Sequence, residues 1–177
     1  CGLGHVTQIL RSDGYDITAS DIDSRAIEAA RRRSGLDIFS VSDFLGPLPP
    51  SDALLLLYFG RIAETDSIER LLDAYPLIIY VISHHRGQDT DRREKKGRIG
   101  ETIGYLESKG VCYSAKDVTY SFPQPLSSMD KARRFIARMY GKENIEAFLP
   151  FLEEGHDYPY MLRNMKTSTI FTIRRRK

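Results

Sequence analysis

Two glycines and an acidic residue near the start of the chain could together hold a nucleoside. Gly2 and Gly4 stand one residue apart, directly before an apolar helical pattern. Glycine at that place lets backbone amides at a helix N-terminus approach a ligand. Asp21 follows the next β-rich run, where a strand-terminal carboxylate can accept hydrogen bonds from both hydroxyls of a ribose. This spacing predicts a nucleoside pocket, although a Gly-x-Gly pair by itself also fits a simple turn.

Two histidines follow a second, strongly apolar run. Residues 77–83 predict a buried strand, and His84 and His85 come directly after it. The carboxyl ends of parallel strands form the functional edge of such a sheet, and histidine is the usual base near neutral pH. We predict that His85 acts as a base or orients a substrate. The alternative is that both histidines lie on the surface of a charged loop.

Composition and charge favour a folded protein without a preference for polyanions. Of the 177 residues, 41% are apolar and 28% are charged, which is close to the average for globular domains. Lys and Arg total 26 against 24 Asp and Glu, for a net charge of +2. Such a balance provides no global field that would select nucleic acid or an anionic membrane. We therefore expect neither as a partner.

The two cysteines and the length of the apolar runs suggest a cytoplasmic protein. Cys1 and Cys112 belong to no metal-ligand spacing and to no disulfide framework, so no metal site is expected. The longest apolar run is far shorter than the roughly 18 residues of a membrane-spanning helix.

The elements that must position these residues alternate between strand and helix. Short apolar runs separated by helical patterns are typical of an α/β fold with a parallel sheet. We predict strands at residues 16–20, 37–41, 53–59, 77–83, 111–122 and 167–173, the fifth being an edge or antiparallel strand. We predict helices at residues 25–33 and about 101–108, and one that begins with a capping box of Asp66 and Glu69.

An insert of mainly helical pattern, residues 125–166, separates the last two predicted strands. It ends in an aromatic segment, GHDYPYML, at residues 155–162. His156, Tyr158 and Tyr160 could shape a substrate pocket under a lid, or they could only anchor the insert.

Four segments resemble motifs of class I S-adenosylmethionine-dependent methyltransferases. CGLG at residues 1–4 resembles the end of their glycine motif, Asp/Glu-x-Gly-x-Gly-x-Gly. SDID at 20–23 resembles the motif whose acid binds the ribose and whose next residue touches adenine, and SVSDF at 40–44 resembles the third motif, which contacts the adenine ring. Residues 52–60 resemble the fourth motif, a buried strand ending beside the transferred methyl group. The resemblance covers residues 1–122 and 167–173.

The resemblance implies a single domain over residues 1–177. Its fold would be a Rossmann-like, mostly parallel sheet flanked by helices, with a last antiparallel strand and the helical insert before it. The cofactor would be S-adenosylmethionine, held by Cys1, Gly2, Gly4, His5, Asp21, Ile22, Asp43 and Phe44. Tyr58 would line the methyl-transfer channel, the alternative being simple core packing. Asp43 could instead cap a turn.

In the family, a first strand precedes the glycine motif. That strand and the first acid and glycine of the motif would lie before Cys1. We therefore expect the natural protein to be longer, and we expect this chain to bind the donor weakly.

The function expected from these residues is methyl transfer to a small molecule, with the acceptor atom and the oligomeric state left open. A nicotinamide-dependent oxidoreductase would use the same glycines and Asp21, but the dinucleotide fingerprint requires Gly or Ala where Thr7 stands. A non-catalytic binding module of the same fold is the third possibility. The basic runs, including residues 31–33, are predicted to be solvated faces.

Overall fold

A computed structural model describes residues 1–47, 49–59, 62–84 and 91–175, with the side chains of 91–97 left undescribed. These residues form two compact units, Cys1–Ser51 and Asp52–Lys177. The described strands fall into three sheets, one in the first unit and two in the second.

The first unit is a βαβ arrangement preceded by a helix. Its elements are α1 (His5–Ser12), β1 (Ala19–Asp21), α2 (Ser24–Ser34) and β2 (Phe39–Val41). Strands β1 and β2 pair in parallel, with Asp21 opposite Val41. Helix α2 begins where the Asp23 side chain accepts a hydrogen bond from the backbone N–H of Arg25 at 2.9 Å, and it ends at Gly35, whose φ is 67°. The predicted helix is confirmed. Both predicted strands are present, but they begin at Ala19 and Phe39 rather than at residues 16 and 37.

A four-stranded sheet forms the centre of the second unit. Its strands are β3 (Leu54–Leu57), β4 (Leu77–His84), β5 (Cys112–Ser121) and β9 (Met165–Arg174), in the order β3-β4-β9-β5. Strand β3 is parallel to β4, and β9 lies antiparallel to both β4 and β5. Three of the four strands therefore share one direction, and the last strand of the chain is antiparallel, as predicted. Strand β5 is an edge strand, which is also as predicted.

Two helices pack on this sheet. They are α3 (Ile68–Ala74) and α4 (Asp91–Ser108), and both contact β4. Ile68, Leu71 and Leu106 are fully buried, so both helices turn apolar side chains toward the core. Helix α4 begins earlier in the chain than the sequence pattern indicated.

The predicted capping box of Asp66 and Glu69 is wrong. Helix α3 begins after Ser67, which makes no side-chain capping bond, and Asp66 lies before it with φ at 43°. The carboxylate of Asp66 instead lies 2.8 Å from Lys109 Nζ and accepts a hydrogen bond from the Tyr105 hydroxyl at 3.1 Å. These hydrogen bonds, first from Lys109 and then from Tyr105, lower the pKa of Asp66. Tertiary partners, Tyr105 on α4 and Lys109 directly after it, have thus replaced the local cap.

The insert contains helices and a small sheet of its own. Its elements are β6 (Gln124–Leu126), α5 (Met129–Tyr140), α6 (Ile145–Phe148), β7 (Leu152–Glu153) and β8 (Tyr160–Leu162), with the strands in the antiparallel order β6-β8-β7. Leu126, Ala132, Ile136 and Leu162 form its buried core. The sequence pattern predicted the helices but missed the sheet, because strands of two or three residues are too short to show an alternating period.

Among the described residues, no helix combines the length and the apolar character needed to cross a bilayer.

Candidate functional site

The two glycines of the first loop have different structural roles. Both have positive φ, 55° for Gly2 and 71° for Gly4, a conformation that other residues adopt at a cost. A Cβ added to Gly4 would lie 2.6 Å from the ring of Phe39 and 3.2 Å from the Cβ of Ala30. A Cβ added to Gly2 would meet no described atom within 4 Å. Gly4 therefore allows α1 to pack closely on the core, whereas the space beside Gly2 is open.

Asp21 fastens this glycine loop, residues 1–4, to the end of β1. Its Oδ2 atom accepts hydrogen bonds from the Gly2 N–H and from the amino group of Cys1, both at 2.7 Å. Its Oδ1 atom accepts one from the Asp23 N–H at 3.1 Å. Burial by itself would raise the pKa of Asp21, but these three hydrogen bonds lower it to about 2. Asp21 is therefore a carboxylate at neutral pH.

Arg33 holds the same loop from the C-terminal turn of α2. Its Nη2 atom donates a hydrogen bond to the Leu3 carbonyl at 2.7 Å, and its Nη1 atom pairs with His5 Nε2. A guanidinium has no acceptor, so His5 Nε2 is the acceptor in this pair. Nearby, Arg31 donates from Nε to the Phe39 carbonyl at 3.1 Å. Residues 31–33 are all exposed, as predicted for a solvated face, but two of the three guanidiniums also donate hydrogen bonds to backbone carbonyls.

The loop after β2 lies beside Asp21. The Ser42 N–H donates to the Asp21 carbonyl at 3.1 Å and so extends the β1–β2 ladder. Asp43 comes next in the chain, and its Oδ1 atom accepts a hydrogen bond from the Leu45 N–H at 2.9 Å. Asp43 therefore caps a turn, as one of the two interpretations of this residue predicts, and its side chain is exposed.

Ile22 and Phe44 follow the two acids at this edge of the sheet. Ile22 is 72% exposed, and Phe44 is half-buried. The structure thus places the glycine loop, Asp21, Ile22 and Asp43 at the carboxyl ends of β1 and β2. Their role as a nucleoside site stays a prediction. The contact with Arg33 was missed, and no spacing in the sequence indicates it.

Tyr58 follows β3 and is exposed rather than packed in the core. Its φ is 51°, its side chain is 58% exposed, and its N–H donates to the Val81 carbonyl at 3.0 Å. Its hydroxyl lies 2.9 Å from the Tyr120 hydroxyl, which lies 3.2 Å from Ser168 Oγ. Left-handed backbone in a residue of this size costs about 1–3 kcal/mol and tends to occur at functional sites.

The phenols of Tyr58 and Tyr120 have pKa values shifted in opposite directions. Burial, followed by the hydrogen bond to Tyr120, raises the pKa of Tyr58. For Tyr120, burial is outweighed by hydrogen bonds from Ser168 and Tyr58 and by the charge of Lys166, so its pKa is lowered. Tyr120 is thus the more acidic member of the pair.

The remaining predicted residues fall in three places. His85 lies outside the described residues. His84 ends β4, and its Nε2 atom lies 2.6 Å from Thr169 Oγ1. In the insert, Tyr160 packs against the insert's own core, whereas Tyr158 and His156 are exposed, and His156 Nδ1 lies 3.0 Å from Asp157 Oδ1. In the part of the chain that the structure describes, no cluster of three or more His, Cys, Asp or Glu side chains could hold a metal ion.

Comparison with known proteins identifies the fold but no relative by sequence. No family model matches the chain, and no curated protein matches it. Among solved structures, a proposed methyltransferase from Bacillus halodurans has a TM-score of 0.56 at 14% identity, covering 99% of this chain and 90% of that one. The precorrin 8w decarboxylase of Methanobacterium thermoautotrophicum has a TM-score of 0.51 at 17% identity, covering 97% and 77%.

A further similar structure contains bound SAH. The plantazolicin methyltransferase BpumL, in complex with a desmethylPZN analog and SAH, has a TM-score of 0.50 at 15% identity, covering 99% of this chain and 74% of that one. The chain therefore has the class I methyltransferase fold, a Rossmann-like α/β fold with a mostly parallel sheet flanked by helices. A shared fold at this identity does not determine the reaction.

Proposed function

We propose that the protein transfers a methyl group from S-adenosylmethionine to a small-molecule acceptor. The observation that carries this proposal is the geometry of Asp21. An ionised carboxylate at the end of a parallel strand is bonded to the N–H of Gly2 at 2.7 Å, beside space that no described side chain fills. The fold supports the same conclusion, since its solved examples include methyltransferases.

The residues of the first unit fit the donor. A carboxylate has about four acceptor positions, of which Asp21 uses three on the described backbone and amino groups, so one is left for a ribose hydroxyl. Ile22 offers an exposed apolar surface for an adenine ring. We propose that Cys1, Gly2, Gly4, His5, Asp43 and Phe44 complete this site. His5 would act indirectly, because it accepts a hydrogen bond from Arg33, which also binds the Leu3 carbonyl of the glycine loop.

When bound, S-adenosylmethionine supplies an activated methyl group on a sulfonium. The protein mainly orients the two reactants and excludes water, and orientation can contribute roughly 7–11 kcal/mol to such a reaction. We propose that Tyr58 and His85 contact the acceptor and that the insert covers it. The exposed phenol of Tyr58, held in a strained backbone conformation, supports its assignment.

A dinucleotide-dependent reaction is less well supported by the geometry. Thr7 is buried where a nicotinamide-binding helix would need Gly or Ala. Close packing of α1 is instead provided by Gly4.

Calorimetric titration with S-adenosylhomocysteine tests the proposed donor site. We expect weak binding by the wild type, as stated above for this chain, and loss of most of that affinity in Asp21→Ala. Because Asp21 also fastens the glycine loop, Ile22→Ala is the cleaner variant, since Ile22 is 72% exposed. Loss of its apolar contact with adenine should weaken binding about tenfold. Ile9→Ala, which removes an equally apolar and 60% exposed side chain from the same unit, should bind normally. A wild type that does not bind S-adenosylhomocysteine would refute the proposal.

A further inference from the structure

Three side chains of the second unit form a hydrogen-bonded line across β4, β9 and β5. His84 Nε2 lies 2.6 Å from Thr169 Oγ1, and Thr169 Oγ1 lies 2.6 Å from Asp117 Oδ1. We call this line the His84 relay. The sheet register explains it: Thr169 pairs with Ile82 on one side and with Asp117 on the other. His84 stands two residues after Ile82, so all three side chains project from the same face.

The number of protons available fixes the direction of each hydrogen bond in the relay. The Thr169 hydroxyl has one hydrogen and donates it to Asp117, because an ionised carboxylate can only accept. The oxygen of Thr169 must therefore accept its second hydrogen bond from His84. Nε2 of His84 accordingly carries a proton. In the neutral imidazole, Nδ1 then has the free lone pair and is the basic atom.

Thr169, at the centre of the relay, is the most buried of its three side chains. Thr169 is 2% exposed, whereas the side chains of His84 and Asp117 are 33% and 63% exposed. Hydrogen bonds are stronger where water is excluded. One rung further along, the hydroxyls of Thr119 and Thr167 bond to each other at 2.9 Å. The hydroxyl of Thr167 is therefore paired with Thr119, and His84 contacts the hydroxyl of Thr169.

We propose that Asp117 and Thr169 are positioning residues that present Nδ1 of His84 as the base for a protic methyl acceptor, such as a hydroxyl or an amine. This inference rests on the methyl transfer proposed above. The acceptor's lone pair forms a bond to the methyl carbon while the methyl–sulfur bond breaks and its electron pair stays on sulfur. The acceptor's proton passes to Nδ1 of His84. Oδ1 of Asp117 lies 3.7 Å from Nε2 of the same ring.

If His84 acts as a base, the methyl acceptor is a group that loses a proton when it is methylated. An acceptor without a proton to release, such as a tertiary amine or a thioether, gains nothing from a base. The relay also divides the roles of the two neighbouring histidines. His84 takes the proton, and His85 remains the residue proposed to orient the acceptor.

Nitrogen NMR of selectively labelled histidine tests the relay without any acceptor. At a pH where the imidazole is neutral, the wild type should show His84 protonated at Nε2 and unprotonated at Nδ1. Its Nε2 proton should exchange with water about tenfold more slowly than in Thr169→Val, which keeps the shape but loses the hydroxyl. Thr169→Ser, which keeps the hydroxyl, is the matched control and should exchange as slowly as the wild type.

A third variant tests the direction of the hydrogen bonds. In Asp117→Ala the Thr169 proton is released from the carboxylate and can point to the imidazole, so the Nδ1-protonated tautomer should become populated. A wild-type His84 protonated at Nδ1 would overturn the proposal. Equal exchange rates in the wild type and Thr169→Val would overturn it as well.

Titration of the same proteins with S-adenosylhomocysteine separates the two proposals. Normal donor binding by Thr169→Val and Asp117→Ala, together with the expected NMR result, supports both. A wild type that fails to bind the donor product overturns the methyl transfer, and with it the role of the base, even where the NMR result confirms the tautomer. Donor binding with an unexpected tautomer overturns the relay alone.

Discussion

The two compact units hold their polar groups in different ways. In the first unit, strands of only three residues leave the glycine loop dependent on a few charged contacts, those of Asp21 and Arg33. In the second, strands of eight and ten residues fix the positions of His84, Thr169 and Asp117 through a continuous backbone ladder. A single substitution should therefore displace the backbone of the first site, but in the second it should remove an interaction and leave the backbone in place.

The largest expected effect comes from filling the space at Gly4. Gly4→Ala adds left-handed strain to a clash with Phe39, and we expect it to lower the free energy of unfolding by about 2–4 kcal/mol. Gly2→Ala carries the strain without the clash and should cost about 1 kcal/mol. Urea unfolding followed by circular dichroism measures both, since the chain has no tryptophan. Equal losses in the two variants would show that α1 does not pack as described.

An intermediate effect is expected from the charge of Asp21. The pKa of Asp21 is lowered from 3.8 to about 2 in the folded chain. Its ionised form therefore stabilises the protein above pH 4, and this contribution is lost as the pH falls through 2. Allowing for partial solvent exposure, we expect about 1 kcal/mol.

Unfolding measurements at several pH values check this expectation. The wild type should be more stable than Asp21→Asn at pH 7, and the difference should disappear near pH 2. A difference that does not change with pH would mean that the charge of Asp21 does not hold the glycine loop.

The smallest effect is expected at Tyr58. Tyr58→Phe removes one exposed hydroxyl, and we expect a change in unfolding free energy below about 1 kcal/mol. Because Tyr120 loses a hydrogen bond that lowers its pKa, the pKa of Tyr120 should rise. Carbon NMR of labelled tyrosine follows this titration. Tyr113→Phe removes a hydroxyl that bonds Glu107 instead, and it should leave Tyr120 unchanged.

Much of the fold could be predicted because its signals are local. Apolar runs such as residues 77–83 predict buried strands through their composition alone. The proximity of Gly2 and Asp21 also followed from sequence, since a loop before one helix and the end of the next strand meet at the same edge in this type of fold.

The contacts that were missed depend on register and helix phase. Arg33 is one of three consecutive arginines, and only the rotation of α2 places it on the glycine loop. The sequence predicts a role for His85 but not for His84. The partners of His84, Thr169 and Asp117, are distant in the chain and reach it only because three strands pair. Asp66 matches a local capping pattern, but its carboxylate instead binds Lys109, the residue directly after α4.

The position of β9 has a consequence for how the chain folds as it is synthesised. Strand β5 is made before the insert, but in the described sheet its only neighbour is β9, which is made after the insert. The edge of β4 must likewise remain open until β9 emerges. Pairing between such distant segments is slow, and strands that wait for a partner are exposed to aggregation. The largely polar, solvent-exposed residues of β5 would keep this waiting strand soluble until the sheet can close.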